Sequence, residues 1–322
     1  MNKVFGIILG IFLFFGVIFF FGGKQLINIL SNSNLGYFFI ALLTQFFIIF
    51  LYVARLKIII SAQKYKLRFF RIFKILVSGM AINQLTPIIK AGGEPVKLYY
   101  LAKSNIPATK SSASIVVEIT SELISFYVTL FLLIIFLSVT KYLTAKFLYI
   151  GTIIFCFVII GFFFAFRFML DKDKIEKFIE KYVLRFFKAN AKISSKIFSS
   201  SLRNLFLNKS LCIKIFSISF LCRLLEFFRI YFIFLAINFP VPITLVLVVW
   251  VLEVLFSTVP WLPGGLGLVE GGIISTLIIF GIPAPFSSSM LLLDRFLSLW
   301  LIVIIGLIGF YFLNKEIKSS YR

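Results

Sequence analysis

The chain has 322 residues, of which 61% are hydrophobic and only 14% charged. Ordinary globular domains sit near half apolar with about a quarter charged, so this composition excludes a chain that hides its apolar surface in a water-facing core. Lys and Arg outnumber Asp and Glu 33 to 12, but the cations lie in short segments flanking apolar runs. That is the bias of cytoplasmic loops and not of a nucleic-acid surface.

The order of elements is that of a polytopic, all-α integral membrane protein. A bilayer core takes about 20 apolar residues per helix. Such runs occur at 4–22, 36–54, 113–138, 147–166, 211–237, 243–259, 271–282 and 287–312, about eight spans in a single transmembrane domain covering 1–322. The first run is too long for a signal-peptide core and has no clear cleavage site, so it reads as the first span. The stretch 75–90 is interrupted by Asn83, Gln84, Thr86 and Pro87 and reads as re-entrant or interfacial. With both termini cytoplasmic, 27 of the 33 cations fall on the inner side, and Lys24, Lys141 and Lys146 fall outside. This asymmetry predicts a multi-pass protein of the cell membrane in that orientation. The basic segments 55–74 and 167–210 read as cytoplasmic. In the second, Ile175, Phe178, Ile179, Tyr182, Val183 and Phe186 recur at helical spacing, the pattern of an amphipathic helix lying on the inner leaflet. The 44 Phe residues read as lipid-facing bulk, and no short-period repeat is visible.

There is no histidine, and Cys156, Cys212 and Cys222 stand in or beside apolar stretches at no metal-ligand spacing. No metal or other cofactor is therefore expected. The informative residues are the acids that break the membrane rule. Glu118, Glu122, Glu226, Glu253, Glu270 and Asp294 fall within or at the edges of apolar spans, where each unpaired charge costs about 2.5–3.5 kcal/mol on insertion scales. They must be paired, hydrated or neutralised. Arg223, Arg229 and Arg295 lie in spans, with Lys90 and Lys97 at the edge, as available cations. Glu118 and Glu122 are four apart and share one helix face, as do Arg223, Glu226 and Arg229 at three-residue steps. Asp294 and Arg295 are neighbours that point apart, so each is expected to pair across helices.

Two segments resist a continuous helix: LTPIIKAGGEPVKLYYL at 85–101 and VPWLPGGLGLVEGG at 259–272. In the second, five glycines and two prolines would cost about 11 kcal/mol if forced into a helix. Broken backbone at membrane depth persists only where protein buries it or a polar cavity takes it up. The free N–H groups of a helix beginning at such a break can hold an anion. Neither segment carries the GxxxxGK[ST] or GxGxxG pattern of a nucleotide loop.

At these motifs the chain resembles the flippase-like membrane proteins related to the transmembrane region of lysylphosphatidylglycerol synthase, in their stand-alone form without an aminoacyl-transferase domain. The resemblance rests on TPIIKAGGEPVKLYYL at 86–101, IVVEITSELISF around Glu118, LPGGLGLVEGG at 262–272 and DRFLSLW at 294–300. It implies a substrate-binding set of Gly92, Gly93, Glu94, Lys97, Glu118, Glu122, Pro263, Gly264, Gly265, Gly267, Glu270 and Arg295. Ile119 stands where the family commonly has Arg, which leaves Glu118 without its neighbouring cation, and Lys97 replaces a frequent Arg.

The expected function is a lipid translocase that shelters a phosphate-bearing headgroup in an intramembrane polar groove. Its partners would be membrane lipids, anionic or polyisoprenoid-phosphate, with no nucleic acid. Two other classes fit the same residues: a membrane subunit or enzyme of polyisoprenoid-phosphate glycan synthesis, and a scaffold for a separate lipid synthase. A glycosyltransferase or synthase partner and a homo-oligomer are compatible with either, and no catalytic motif is visible.

Overall fold

The computed structural model describes residues 3–86, 92–139, 160, 161, 164, 167, 171, 195–257 and 263–319. Among them there is no strand. The helices are α1 (Lys3–Gly22), α2 (Gln25–Ser31), α3 (Leu35–Ala62), α4 (Phe69–Leu85), α5 (Gly93–Ala102) and α6 (Ala108–Val139), then α7 (Ser195–Leu207), α8 (Lys209–Ala236) and α9 (Ile243–Ser257). A 3₁₀ turn at Pro263–Gly265 leads to α10 (Leu268–Ile279), α11 (Ala284–Arg295), a π-helical turn at Phe296–Trp300 and α12 (Leu301–Ser319).

Among the described residues, three helical stretches are long and apolar enough to cross a bilayer: Leu35–Ala62, Ala108–Leu132 and Ala284–Ser319. A fourth is reached if α1 and α2, bent by 91° across Gly23 and Lys24, count as one span. Helix α8 is as long as α3 but carries Lys214, Arg223, Glu226 and Arg229. Phe39, Leu43, Phe46, Phe47 and Phe50 of α3 remain exposed, an outer face that only an apolar solvent covers without cost.

Several boundaries differ from the pattern reading. Helix α3 continues to Ala62 and α4 begins at Phe69, so most of the basic segment 55–74 is helical and Arg55 is a core residue with no exposed surface. The stretch expected to be re-entrant is regular helix through Leu85. The last five residues of the second broken segment already belong to α10. The expected span 147–166 and the amphipathic face at 175–186 fall almost entirely outside the described residues. The neighbouring α7 is itself amphipathic, burying Leu202 and Leu205 while Ile197 and Leu207 stay exposed.

The chain divides into two compact units. The first comprises Met1–Phe50, Phe73–Lys97 and Leu224–Arg322. Its core gathers Phe14, Ile18, Leu26, Leu266, Leu299 and Val303, with Ile49, Val77 and Ile302 in a second cluster. The second comprises Leu51–Ile72 and Leu98–Arg223, with Ile59, Ala113, Val117, Leu202, Leu205, Leu211 and Ile215 at its centre.

The element boundaries recur. Helices α3 and α8 are both 28 residues long and lie at an offset of 174 (Leu35 to Lys209, Ala62 to Ala236), which also carries the start of α4 onto the start of α9 (Phe69 to Ile243). Beyond the two breaks the offset becomes 176 (Glu94 to Glu270, Ala108 to Ala284, Glu118 to Asp294), matching the starts of α6 and α11. The sequence around those starts repeats as Ile106-Pro107-Ala108…Ser111-Ser112 and Ile282-Pro283-Ala284…Ser287-Ser288.

Left-handed residues fall in register as well. Lys64 (φ 67°) corresponds to Asn238 (φ 56°), and Asn105 (φ 63°) to Gly281 (φ 85°). Each closes its helix with the same pair of bonds: Lys64 N–H to Ser61 O with Tyr65 N–H to Ile60 O, Asn238 to Leu235 with Phe239 to Phe234, Asn105 to Ala102 with Ile106 to Leu101, and Gly281 to Ile278 with Ile282 to Leu277. These are helix C-terminal motifs that need one αL residue.

The two copies run in opposite senses. In the first unit Asn34 bonds Ala236 and Gln45 bonds Arg229, so α3 rises as α8 falls. In the second unit Arg55 bonds Ser219, and Ile59 packs with Leu211 and Ile215, the same antiparallel order. The fold is therefore built on an inverted repeat, 35–139 and 209–315 in round terms. The cap at Gly281 gives a direct check. A Cβ there meets nothing within 4 Å, so Gly281→Ala should cost only the conformational penalty, about 1–2 kcal/mol, read as a lowered unfolding temperature in detergent. Asn105→Gly, at the equivalent position, should be close to neutral.

Candidate functional site

The first break brings α4 against α5. Gly93 opens α5 and its N–H donates to Asn83 Oδ1 at 2.7 Å, so a side chain of α4 caps the helix that follows. A Cβ on Gly93 would collide with the Gly79 carbonyl oxygen, and one on Gly92 would lie 2.5 Å from the Thr86 side chain. Glycine is required at both because backbone and side chain close in on the turn. Glu94, in the first turn of α5, pairs with Lys97 Nζ at 2.8 Å and accepts from Asn83 Nδ2 at 3.4 Å. Lys97 is buried.

The second break is its counterpart. Gly264 (φ 62°), Gly265 (φ 70°) and Gly267 (φ 86°) turn the chain through left-handed conformations, and α10 starts at Leu268. Pro263 begins the turn. Glu270 occupies the position equivalent to Glu94. Its Oε2 accepts the Gly267 N–H, and its Oε1 lies 2.9 Å from Arg295 Nε. Glu270 has no exposed surface and Arg295 almost none, so water contributes little screening. Removing one partner of such a pair typically costs about 3–5 kcal/mol, because the remaining charge stays buried. Arg295 Nη2 is buried with no hydrogen-bond partner among the described residues.

The two breaks meet inside the first unit. A Cβ on Gly264 would stand 3.2 Å from the Gln84 carbonyl oxygen, one residue before α4 ends, and 2.9 Å from Leu299. Gly92, Gly93, Glu94, Lys97, Pro263, Gly264, Gly265, Gly267, Glu270 and Arg295 thus belong to one unit, as two equivalent helix starts each carrying a glutamate held by a buried cation.

Glu118 and Glu122 lie in the second unit. Both share Arg55 Nη2, at 3.1 Å for Glu118, while Nη1 donates to Ser219 Oγ at 2.9 Å. Arg55 supplies from another helix the cation missing at Ile119. Charge counting alone assigned it to a loop. The first unit has an equivalent centre at Arg229, the repeat partner of Arg55. Arg229 Nε and Nη2 lie 3.0 Å from Asp294 Oδ1, and Nη1 donates to Gln45 Oε1 at 2.7 Å. Asp294 and Arg295 do pair across different helices, with Arg229 and Glu270. The π-helical turn that follows keeps Ser298 Oγ 3.3 Å from Asp294 Oδ2. Gln45 and Ser219 are not legible in the sequence because neutral side chains in apolar helices carry no charge signal, and Asn83 stands out there only as an interruption of the stretch 75–90.

The family model for the lysylphosphatidylglycerol synthase transmembrane region matches residues 7–306. The chain is 26% identical to a UPF0104 membrane protein of Methanothermobacter thermautotrophicus, over 98% of this chain and 96% of that relative. It is 28% identical to a UPF0104 membrane protein of Methanocaldococcus jannaschii over 93% and 91% of the two chains, and 22% identical to one of Pyrococcus horikoshii over 95% and 96%. No solved structure matches the chain. A match of this extent, over a helical chain with apolar spans and the paired broken motifs, makes the protein a membrane protein of the lysylphosphatidylglycerol synthase transmembrane-region family.

Proposed function

We propose that the chain binds the phosphate of a lipid headgroup where its two broken segments meet and carries that headgroup across the bilayer. The observation that carries this reading is Arg295, a buried guanidinium with Nη2 unbonded among the described residues, beside the start of α10. Helix N-termini favour anions, and two of them begin at equivalent breaks of an inverted repeat. In secondary transporters built from inverted repeats, interrupted helices at corresponding positions mark the substrate site. Glu94 and Glu270 hold Lys97 and Arg295 in place, and the tails of the lipid remain in the bilayer. The substrates are anionic or polyisoprenoid-phosphate lipids, in a cell-membrane protein with both termini cytoplasmic.

The test is translocation of fluorescent lipids in proteoliposomes, comparing wild type with Arg295→Lys across anionic, aminoacylated and polyisoprenoid-phosphate headgroups. Lysine keeps a positive charge for Glu270 but loses the second nitrogen of the fork. Loss of one charge-assisted hydrogen bond, worth about 1.5–3 kcal/mol, predicts a fall of at least roughly tenfold in lipid affinity or initial rate. Equal movement by wild type and variant would remove Arg295 from the site, and no movement of any lipid by folded wild type would overturn the proposed function.

A further inference from the structure

The Arg229 centre holds one carboxylate more than its geometry needs. Asp294 takes the guanidinium through Nε and Nη2, both at 3.0 Å, and Gln45 takes Nη1. Glu253, from α9, reaches the same Nη2 only at 3.7 Å. Glu253 and Asp294 thus converge on one guanidinium nitrogen, and the charged groups around Glu253 are Asp294, Arg229 and Arg295. Arg295 is engaged by Glu270, and Glu226, on the α8 face next to Arg229, accepts the Trp250 Nε1–H. Among the described residues, two guanidiniums thus serve Asp294, Glu253 and Glu270.

The inverted repeat separates the structural part of this cluster from the addition. Arg229 corresponds to Arg55, Asp294 to Glu118, and Ser219 to Gln45. Both copies therefore build one arginine on one deeply buried acid, with a neutral side chain on Nη1, and each adds a second carboxylate on Nη2 from a different position, Glu122 in the first and Glu253 in the second. Position 253 corresponds to Gly79, which packs against the Lys97 stem in the first copy. Glu253 therefore has no carboxylate counterpart at the equivalent position of the first copy. It sits in the otherwise apolar helix ITLVLVVWVLEVLFS, where a surplus charge is costly.

We propose that Glu253 is a proton-binding carboxyl whose proton is shared with Asp294, and that its loading and release couple lipid movement to a transmembrane proton gradient. This rests on the proposed translocation for its second half only. Two carboxyl groups that converge on one guanidinium nitrogen are mutually stable when one holds a proton. Arginine does not deprotonate in proteins, and the chain has no histidine, so the carboxyls are the proton-exchanging groups of this cluster. With Glu253 protonated, its O–H donates to the Asp294 carboxylate and Arg229 stays on Asp294. When that proton leaves, the Glu253 carboxylate competes for Arg229 Nη2. Asp294 directly precedes Arg295, so a shift in the hold on Asp294 acts on the residue beside the proposed headgroup site.

Infrared difference spectroscopy of the full chain in liposomes, stepped between acid and alkaline buffer, reads the proton directly. Wild type should show a protonated-carboxyl C=O band that titrates, and Glu253→Gln should lack it. Glu253→Asp, which keeps the carboxyl, should restore a shifted band. The same band persisting unchanged in Glu253→Gln would overturn the assignment. In the translocation assay with an imposed pH gradient, wild type should accelerate several-fold, while Glu253→Gln should move lipid down its own gradient without responding to pH. A wild-type pH response retained in Glu253→Gln would overturn the coupling. If folded wild type moves no lipid at all, the proposed function and with it the coupling fall, and the carboxyl band still decides the proton site.

Discussion

Replacing Arg229 by Met is expected to prevent recovery of folded protein or to lower its unfolding temperature by a large margin. The side chain is buried, and its three nitrogens hold Asp294, Glu253 and Gln45. Methionine of similar length leaves the Asp294 carboxylate without its cation in a water-poor interior, a change of about 3–5 kcal/mol for breaking one buried pair. Arg55→Met should behave alike in the second unit, since Arg55 has no exposed surface and holds Glu118, Glu122 and Ser219. The double replacement Arg229→Met with Asp294→Leu should recover part of the loss, because replacing a buried ion pair by apolar residues is often neutral or stabilising. Thermal unfolding followed by size-exclusion chromatography in detergent checks all of these. An Arg229→Met protein as stable as wild type would show that the cluster is hydrated and that its charges do not depend on one another.

The second large effect is expected at Gly93. Its missing Cβ is where the Gly79 carbonyl oxygen sits, with the Asn83 side chain beside it. A backbone oxygen cannot rotate away, so Gly93→Val must force α4 and α5 apart. Overpacking costs about 1–3 kcal/mol and occasionally more, and here it also breaks the Gly93 N–H bond to Asn83. The expected result is a clear loss of stability together with loss of the proposed lipid binding. Gly271 supplies the control. It lies within α10, and a Cβ there meets nothing within 4 Å. Gly271→Ala should be neutral or stabilising by up to about 1 kcal/mol on helix propensity alone. Equal effects at both glycines would mean that the helix crossing is looser than its contacts indicate.

Parts of the site were legible in the sequence because the membrane makes certain residues expensive. Glu118, Glu122, Glu253, Glu270, Asp294, Arg229 and Arg295 stand out against apolar neighbours, and each proves to have an ionic partner. The broken segments were legible from glycine and proline propensity, and both adjoin helix starts. Arg55 was not, because a cation at the end of an apolar run looks the same whether the helix stops there or continues for another two turns. The inverted repeat is not legible in the sequence for a related reason. Its identities are few and scattered, with Arg55 and Arg229, Glu94 and Glu270, and a short cluster of Ile-Pro-Ala and Ser-Ser around 106–112 and 282–288, while positions such as Gln45 and Ser219 or Glu118 and Asp294 differ in residue type.

By itself, then, the sequence determined the solvent, the helical class, the family resemblance and the places where a continuous helix is impossible. These follow from the transfer cost of charges, the hydrogen-bonding demand of backbone in lipid and the torsional limits of glycine and proline, all of which act locally along the chain. Which acid meets which arginine, that Gly264 comes up against Gln84, and that α3 and α8 are equivalent antiparallel helices were decided only by the tertiary structure. Pairing across helices depends on relative rotation and register of elements far apart in sequence. Close packing and the need to neutralise buried charge fix both, and neither leaves a mark on the local pattern of residues.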